Sequence, residues 1–273
     1  MTATILAPGS PTGSGQQMLL DVRDISISFG GLKAVQNFCL ALPRGCLYGL
    51  IGPNGAGKTT VFNVLTGVYR PDCGQVWVDG QRVDGRKPNQ IARAGLSRTF
   101  QNIRLFGELS VLDNIRIGAQ LRHTSGLWGT LMRGSRQVGR ERWIVRRAAE
   151  ILSVFGLSDR AGEQAKNLPY GAQRRVEMAR ALATEPKVLL LDEPGAGMNP
   201  QEKQELMTLI RTVRQRFGLA ILLIEHDMSL VMGVCEQITV LDHGETIAVG
   251  SPQQIQSNPK VIEAYLGEGP DAA

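Results

Sequence analysis

Residues 52–60 read Gly-Pro-Asn-Gly-Ala-Gly-Lys-Thr-Thr, the G-x-x-x-x-G-K-[ST] spacing of a loop that wraps the phosphates of a bound nucleotide. The chemistry follows from the residue types. Gly52, Gly55 and Gly57 let the backbone turn tightly and aim successive N–H groups inward, which forms a nest for anionic oxygens. Lys58 supplies a point charge for the β- and γ-phosphates, and Thr59 a hydroxyl for Mg²⁺. Pro53, Asn54, Ala56 and Thr60 complete the phosphate-contacting run.

Four further residues carry candidate chemistry. Asp192 and Glu193 close the run Leu189-Leu-Leu-Asp-Glu. Asp192 suits holding Mg²⁺ directly or through water, and Glu193, one peptide farther, suits polarising an attacking water as general base. Paired acids also suit a plain helix start, and the phosphate loop earlier in the chain favours the metal and base roles. His226 follows Ile221-Leu-Leu-Ile-Glu and is a γ-phosphate sensor if it shares that sheet edge. Gln101, in Arg98-Thr-Phe-Gln-Asn, carries an amide able to touch Mg²⁺ or water and swing away.

The elements that must hold these residues are legible in the apolar pattern. Cys46 to Ile51 is a short apolar run of buried-strand type, and Thr60 to Leu65 reads as a helix start whose dipole favours phosphate. Val188–Leu191 and Leu219–Ile224 are continuous apolar strands, with a helix lined by Leu206, Leu209, Ile210, Val213 and Phe217 between them. This alternation predicts a parallel sheet flanked by helices, with ligands beyond the carboxyl ends of the strands. Loose alternation from Leu19 to Phe29 and an Asp79-Gly80 hairpin signal within 75–83 predict an antiparallel sheet beside that core. A last hairpin is expected at His243-Gly244 within 237–249. Residues 102–182 read as mostly helical, with Val145, Ala148, Ile151, Leu152 and Phe155 on one helix face ended by Gly156.

A chain of 273 residues with 42% hydrophobic content can bury a full core. It has no run of about 18 uncharged apolar residues that would span a bilayer. The Gly-, Ser-, Thr- and Pro-rich start reads as a flexible tail without a signal-peptide pattern. Cys39, Cys46, Cys73 and Cys235 lack C-x-x-C spacing, which argues against metal or disulfide use and for a reducing cytoplasm. Net charge is +5, yet eight arginines and a single acid, Glu141, fall between Arg116 and Arg147. That stretch suits anionic lipid, an acidic partner or plain solvation; nucleic acid ranks last because stacking aromatics are missing.

Taken in order, the phosphate loop, Gln101, the run Leu168-Pro-Tyr-Gly-Ala-Gln-Arg-Arg-Val-Glu-Met-Ala-Arg-Ala-Leu182, Leu191-Asp-Glu-Pro194 and His226 resemble the ATP-binding-cassette ATPases over about residues 19–267. The resemblance implies an α/β fold: a P-loop NTPase (RecA-like) core with an antiparallel β subdomain and a helical subdomain at about 102–182. One ATPase domain at 18–267 would lie between tails at 1–17 and 268–273. It further implies that Phe29 stacks on adenine with Val35 among the nucleotide contacts, that Gln101 links the nucleotide site to a transmembrane partner, and that His226 is the switch. Two such domains would meet head to tail, with Leu168, Pro169, Tyr170, Gly171, Ala172 and Gln173 of each, together with Asn199, serving the ATP of the other.

The runs Phe29–Val35, Arg98–Gln101, Tyr170-Gly171, Gly197–Pro200, Glu225-His-Asp-Met228 and Ala264-Tyr-Leu-Gly267 resemble the ATPase subunits of branched-chain amino-acid importers. Urea or amide importers and lipopolysaccharide exporters share part of this set. The implied protein is peripheral on the cytoplasmic face of the inner membrane. Its implied partners are transmembrane permease subunits, a second ATPase and a periplasmic solute-binding protein. Two positions depart from the family pattern: Pro169 replaces the signature serine, and Asn199 a D-loop aspartate. Both serve the opposite nucleotide, so a distinct second ATPase subunit with unequal sites is expected, Pro169 in the first helical turn weakening phosphate capture. A soluble cassette protein acting on nucleic acid or the ribosome, and a nucleotide-binding regulator without turnover, are the readings from other classes.

Overall fold

The computed structural model describes residues 17–121 and 135–266. Strands β1 (Met18–Phe29) and β2 (Leu32–Pro43) pair antiparallel across Gly30-Gly31, both with positive φ, as a tight hairpin turn requires. β3 (Leu47–Ile51) leads through the glycine loop into α1 (Lys58–Leu65). β4 (Cys73–Val78) and β5 (Gln81–Arg82) turn at Asp79-Gly80 as expected, and α2 (Pro88–Ala94) and β6 (Leu96–Arg98) follow. The next helices are α3 (Val111–Gln120), α4 (Ser135–Val154) and α5 (Tyr170–Ala183). The chain then alternates β7 (Val188–Asp192), α6 (Pro200–Phe217), β8 (Ala220–Ile224), α7 (Met228–Val234) and β9 (Gln237–Asp242). It closes with β10 (Glu245–Gly250), α8 (Pro252–Gln256) and α9 (Pro259–Leu266).

Two sheets result. The antiparallel one has the order β2-β1-β4-β5, and the larger one runs β10-β9-β3-β8-β7-β6 with β10 alone antiparallel. The larger sheet is apolar on both faces. Leu47, Leu189, Leu191, Ile221 and Leu223 enter a core shared with the helices, while Leu50, Val188, Leu190, Ala220 and Leu222 enter a second core shared with the antiparallel sheet. Successive side chains on a strand point to opposite faces, so only a strand covered on both sides reads as a continuous apolar run.

One helix face departs from the sequence expectation. Val145 is exposed, and Ile144 is buried with Ala148, Ile151 and Leu152. Spacings of four and three keep one side of a 3.6-residue period, and Val145 lies about 100° off it. Past α4, Gly156 takes φ 63 and the Leu157 N–H bonds the Leu152 carbonyl, a six-to-one closure that ends the helix. Within the arginine-rich stretch, Arg116 pairs with Asp113 and Glu141, and Arg147 with Glu150 and Glu185. Arg122 and Arg133 lie outside the described residues, as do 1–16 and 267–273.

The glycine loop is wedged between two carbonyls. A Cβ on Gly52 would enter the shell of the Leu241 carbonyl, and one on Gly57 would lie 2.6 Å from the Ala34 oxygen, whereas Gly55 faces open space. Gly52→Ala should therefore cost about 3 kcal/mol or more of stability through forced overpacking. Gly55→Ala should cost only about 1–2 kcal/mol for its left-handed backbone. Denaturant titration of the two variants checks the ordering.

Candidate active site

Parallel pairing sends the carboxyl ends of β3, β6, β7 and β8 to one edge, and each delivers a polar segment there. Beyond β3, the Gly57 backbone is left-handed (φ 104), so the chain reverses into α1 with its helix N-terminus open toward the cavity. The Lys58 ammonium lies 2.5 Å from the Gly52 carbonyl and 2.6 Å from that of Pro53, held inside the loop. Asn54 through Thr60, together with Leu32, Lys33, Gln101, Glu193 and His243, line a cavity of about 430 Å³. The β9–β10 turn braces it, with Gly244 N–H bonded to the Ala56 carbonyl at 3.0 Å and Gln36 N–H to the Gly244 carbonyl at 2.8 Å.

Glu193 sits one residue past β7 with φ 45, a strained conformation for a side chain with a Cβ. Its N–H bonds the Ile224 carbonyl at 2.9 Å, which fixes it beside the end of β8. The Gln101 amide donates to Glu193 Oε2 at 2.8 Å, and His226 Nδ1 lies 3.8 Å from the same oxygen. Gln101 and His226, far apart in sequence, therefore converge on the Glu193 carboxylate, which lines the cavity with Gln101. Asp192 is nearly buried behind them, its Oδ2 bonded to Arg98 at 2.6 Å.

Several groups around the site went unread in the sequence. Arg98 bridges Asp192 to Asn63 and packs on the rings of Phe62 and Phe100. Arg174 and Glu177, both 2% exposed, grip the segment carrying Gln101. Arg174 donates to the carbonyls of Phe100 and Gln101, and Glu177 accepts from the N–H groups of Phe100 and Arg104. Glu225 is buried at 1% exposure. Burial pushes its carboxyl pKa up, against the pull of the amide donors of Gly195, Asp227 and His226. Asp227 has the opposite environment: hydrogen bonds from Lys203 and Ser229 and the Leu230 N–H hold its carboxyl far below the usual range. The clue available was position, since Arg98 and Glu225 stand three residues before and one residue before residues already singled out.

The remaining predicted residues lie elsewhere. The Phe29 ring is half-exposed and meets Tyr69 edge-on at 5.1 Å, outside the cavity lining. The Val35 side chain is fully buried beneath Gly57, so it supports the loop from below instead of facing the cavity. Pro169 is the N-cap of α5, one residue before the first helical turn in which it was expected. Leu168 is buried and its carbonyl accepts from Gln173 Nε2 at 2.9 Å. Gly171 and Ala172 line a separate cavity of about 350 Å³ with Met198 and Glu202. Tyr170 is exposed near Gly197, its hydroxyl 3.1 Å from Arg174. Asn199 caps α6, accepting the Glu202 N–H in a reciprocal capping box. None of these lines the cavity that holds Lys58 and Glu193.

Comparison with known proteins agrees with this geometry. The ABC transporter family matches residues 35–196, and the branched-chain amino acid ATP-binding cassette transporter family matches residues 245–271. The chain is 47% identical over 252 residues to the high-affinity branched-chain amino acid transport ATP-binding protein LivG of Escherichia coli K12, covering 92% of this chain and 99% of that one. It is 45% identical over 256 residues to the corresponding protein BraF of Pseudomonas aeruginosa, covering 92% and 98%. Among solved structures, a nucleotide-free ATP-binding cassette superposes with TM-score 0.80 at 30% identity, covering 92% of this chain and all (100%) of that one. The ADP conformation of the cassette MJ1267 gives 0.79 at 30% identity, with 92% and 99% covered. With its P-loop NTPase fold and the phosphate loop, acids and histidine gathered at one sheet edge, the chain belongs to the ATP-binding, ATP-hydrolysing subunits of ABC transporters.

Proposed function

We propose that this chain powers import of branched-chain amino acids, or a related small polar solute, by hydrolysing ATP at the cavity between the glycine loop and Glu193. The observation that carries the reading is the convergence of Gln101 and His226 on Glu193 Oε2. The similarity to LivG and BraF, named as branched-chain amino acid transport proteins, supports the substrate class. The loop amides and Lys58 hold the phosphates, while the half-exposed Phe29 ring is available to adenine. Glu193 orients and deprotonates the attacking water, and His226 senses the γ-phosphate across the same wall. Most of the rate gain comes from positioning and charge stabilisation.

Mg²⁺ fits the donors present: the Thr59 hydroxyl and the Gln101 amide oxygen line the cavity, and Asp192, held by Arg98 behind them, would reach the ion through water. When bound it would neutralise charge on the phosphate oxygens. In the present arrangement the Gln101 N–H occupies one acceptor site of the base, and a shift of the Phe100–Arg104 segment would free it for the attacking water. A mostly apolar groove of about 610 Å³ lies along that segment, lined by Phe100, Leu105, Phe106, Ile117 and Leu121. We read it as the seat of a permease subunit that drives the shift. We place the chain peripherally on the cytoplasmic face, with its similarity to transport ATP-binding proteins as support; no described helix is long and apolar enough to cross a membrane.

The second site of the transporter is read as belonging to a distinct cassette. Pro169 stands at the N-cap of α5, where a serine would add a hydroxyl toward the other subunit's γ-phosphate. The Gly171 N–H remains at that helix N-terminus, so capture is weakened and not lost. A periplasmic solute-binding protein completes the wider system, and nucleic acid has no place in it.

Glu193→Gln should cut ATP hydrolysis by the assembled complex about 100-fold or more while ATP stays bound, and Lys58→Ala should abolish binding. Equal turnover in Glu193→Gln and unmutated complexes would refute the assignment. Replacing Phe106 and Ile117 by Asp should abolish co-purification with the permeases and leave ATP binding by the isolated subunit intact. Quantitative gel analysis of the unmutated complex should give one copy of this chain per pair of cassettes; two copies would contradict the unequal pairing.

A further inference from the structure

Glu225 lies outside the groups used above, yet it is buried against them. Its Oε1 accepts the Gly195 N–H at 2.7 Å, and its Oε2 accepts those of His226 at 3.2 Å and Asp227 at 3.5 Å. The His226 ring approaches the same Oε2 at 3.9 Å, and Lys203 approaches through its pair with Asp227. A buried carboxylate facing amide donors is a strong acceptor, and removing it would leave those N–H groups without partners.

Gly195 supplies an independent observation. A Cβ at that position would fall 2.9 Å from Glu225 Oε1 and 3.0 Å from Leu230 Cδ1, so a side chain there would press the carboxylate away from the amide. Gly195 is two residues after Glu193, whose own N–H is bonded to the Ile224 carbonyl. The Glu193–Gly195 turn is thus fastened to the Ile224–Asp227 segment at both ends. One fastening is the ordinary strand ladder; the other is the Glu225 side chain.

We propose that Glu225 is a positioning residue for hydrolysis: it ties the Gly195 amide to those of His226 and Asp227, so that Glu193 and His226 are held as one unit. This rests on the reading of Glu193 as the general base. Glu193 is held at φ 45, and a freed Gly195 amide lets that strained turn relax and carry the carboxylate away from the attacking water. Neither Gly195 nor Glu225 lines the nucleotide cavity, so the effect falls on turnover and not on ATP binding.

The test is steady-state ATP hydrolysis by the assembled transporter carrying Glu225→Ala, Glu225→Gln, Gly195→Ala, or Glu225→Ala with Gly195→Ala, beside Glu193→Gln. Glu225→Ala should lower kcat by about ten-fold or more, since small misplacements of a reacting group are that costly. KM for ATP should stay within about two-fold. Glu225→Gln, of similar size and keeping a carbonyl for the Gly195 N–H, should regain part of the loss. The double variant should be no slower than the slower single one, because both changes break one linkage. Unchanged kcat in Glu225→Ala, a parallel loss of ATP binding, or single effects that multiply in the double variant would overturn the inference. An inactive Glu193→Gln beside a fully active Glu225→Ala would overturn this inference alone. Full hydrolysis by Glu193→Gln would overturn the base assignment and this inference together.

Discussion

Residue-for-residue parallel pairing of β7 with β8, from Val188 opposite Ala220 to Asp192 opposite Ile224, is the constraint on which the site depends. It sets the last residues of both strands level, so Glu193 emerges beside Glu225 and His226. The same sheet holds β3 next to β8 and β6 next to β7, which brings the glycine loop and the Arg98–Gln101 segment to that edge. A one-residue slip would turn Leu189 and Leu191 from one core to the other and move the acids out of line. With both faces apolar, what opposes the slip is the fit of particular side chains in the core above and the core below, and the displacement of Asp192.

Upon this frame the loop is clamped by backbone. Gly52 lies against the Leu241 carbonyl and Gly57 against that of Ala34, so the hairpin β9–β10 and the strand β2 grip it from two sides. The glycines therefore serve packing as much as phosphate approach, and only Gly55 is open. On the other side of the cavity, Arg174 and Glu177 of α5 hold the Gln101 segment through its main chain. The helix that carries the signature run is thereby joined to the side chain that occupies the base. In the proposed head-to-tail pair this joins one subunit's own nucleotide site to its neighbour's.

The phosphate loop, two of the hairpin turns and the strands of the large sheet other than β6 were legible because each is local: a spacing of glycines, an Asp-Gly or His-Gly pair, or a run of four to six apolar residues; the Gly30-Gly31 turn and the three-residue β6 were not read. The α/β plan followed from their alternation. What stayed illegible is long-range. Nothing in the sequence pairs Arg98 with Asp192, or Glu225 with Gly195, since those partners meet only when the strands align. Ile144 and Val145 are adjacent and equally apolar, and only the packed helix decides which one faces inward. Val35 likewise takes its buried place from the loop lying over it.

The central claim is that Gln101 restrains Glu193 until a permease moves it. It is tested most directly by the ratio of permease-stimulated to basal ATP hydrolysis in Gln101→Ala and unmutated protein. The account predicts that the ratio falls toward one in Gln101→Ala through a rise in basal hydrolysis, because the base is no longer held; a fall through lost stimulation alone would contradict it. A ratio unchanged from that of the unmutated protein would contradict it.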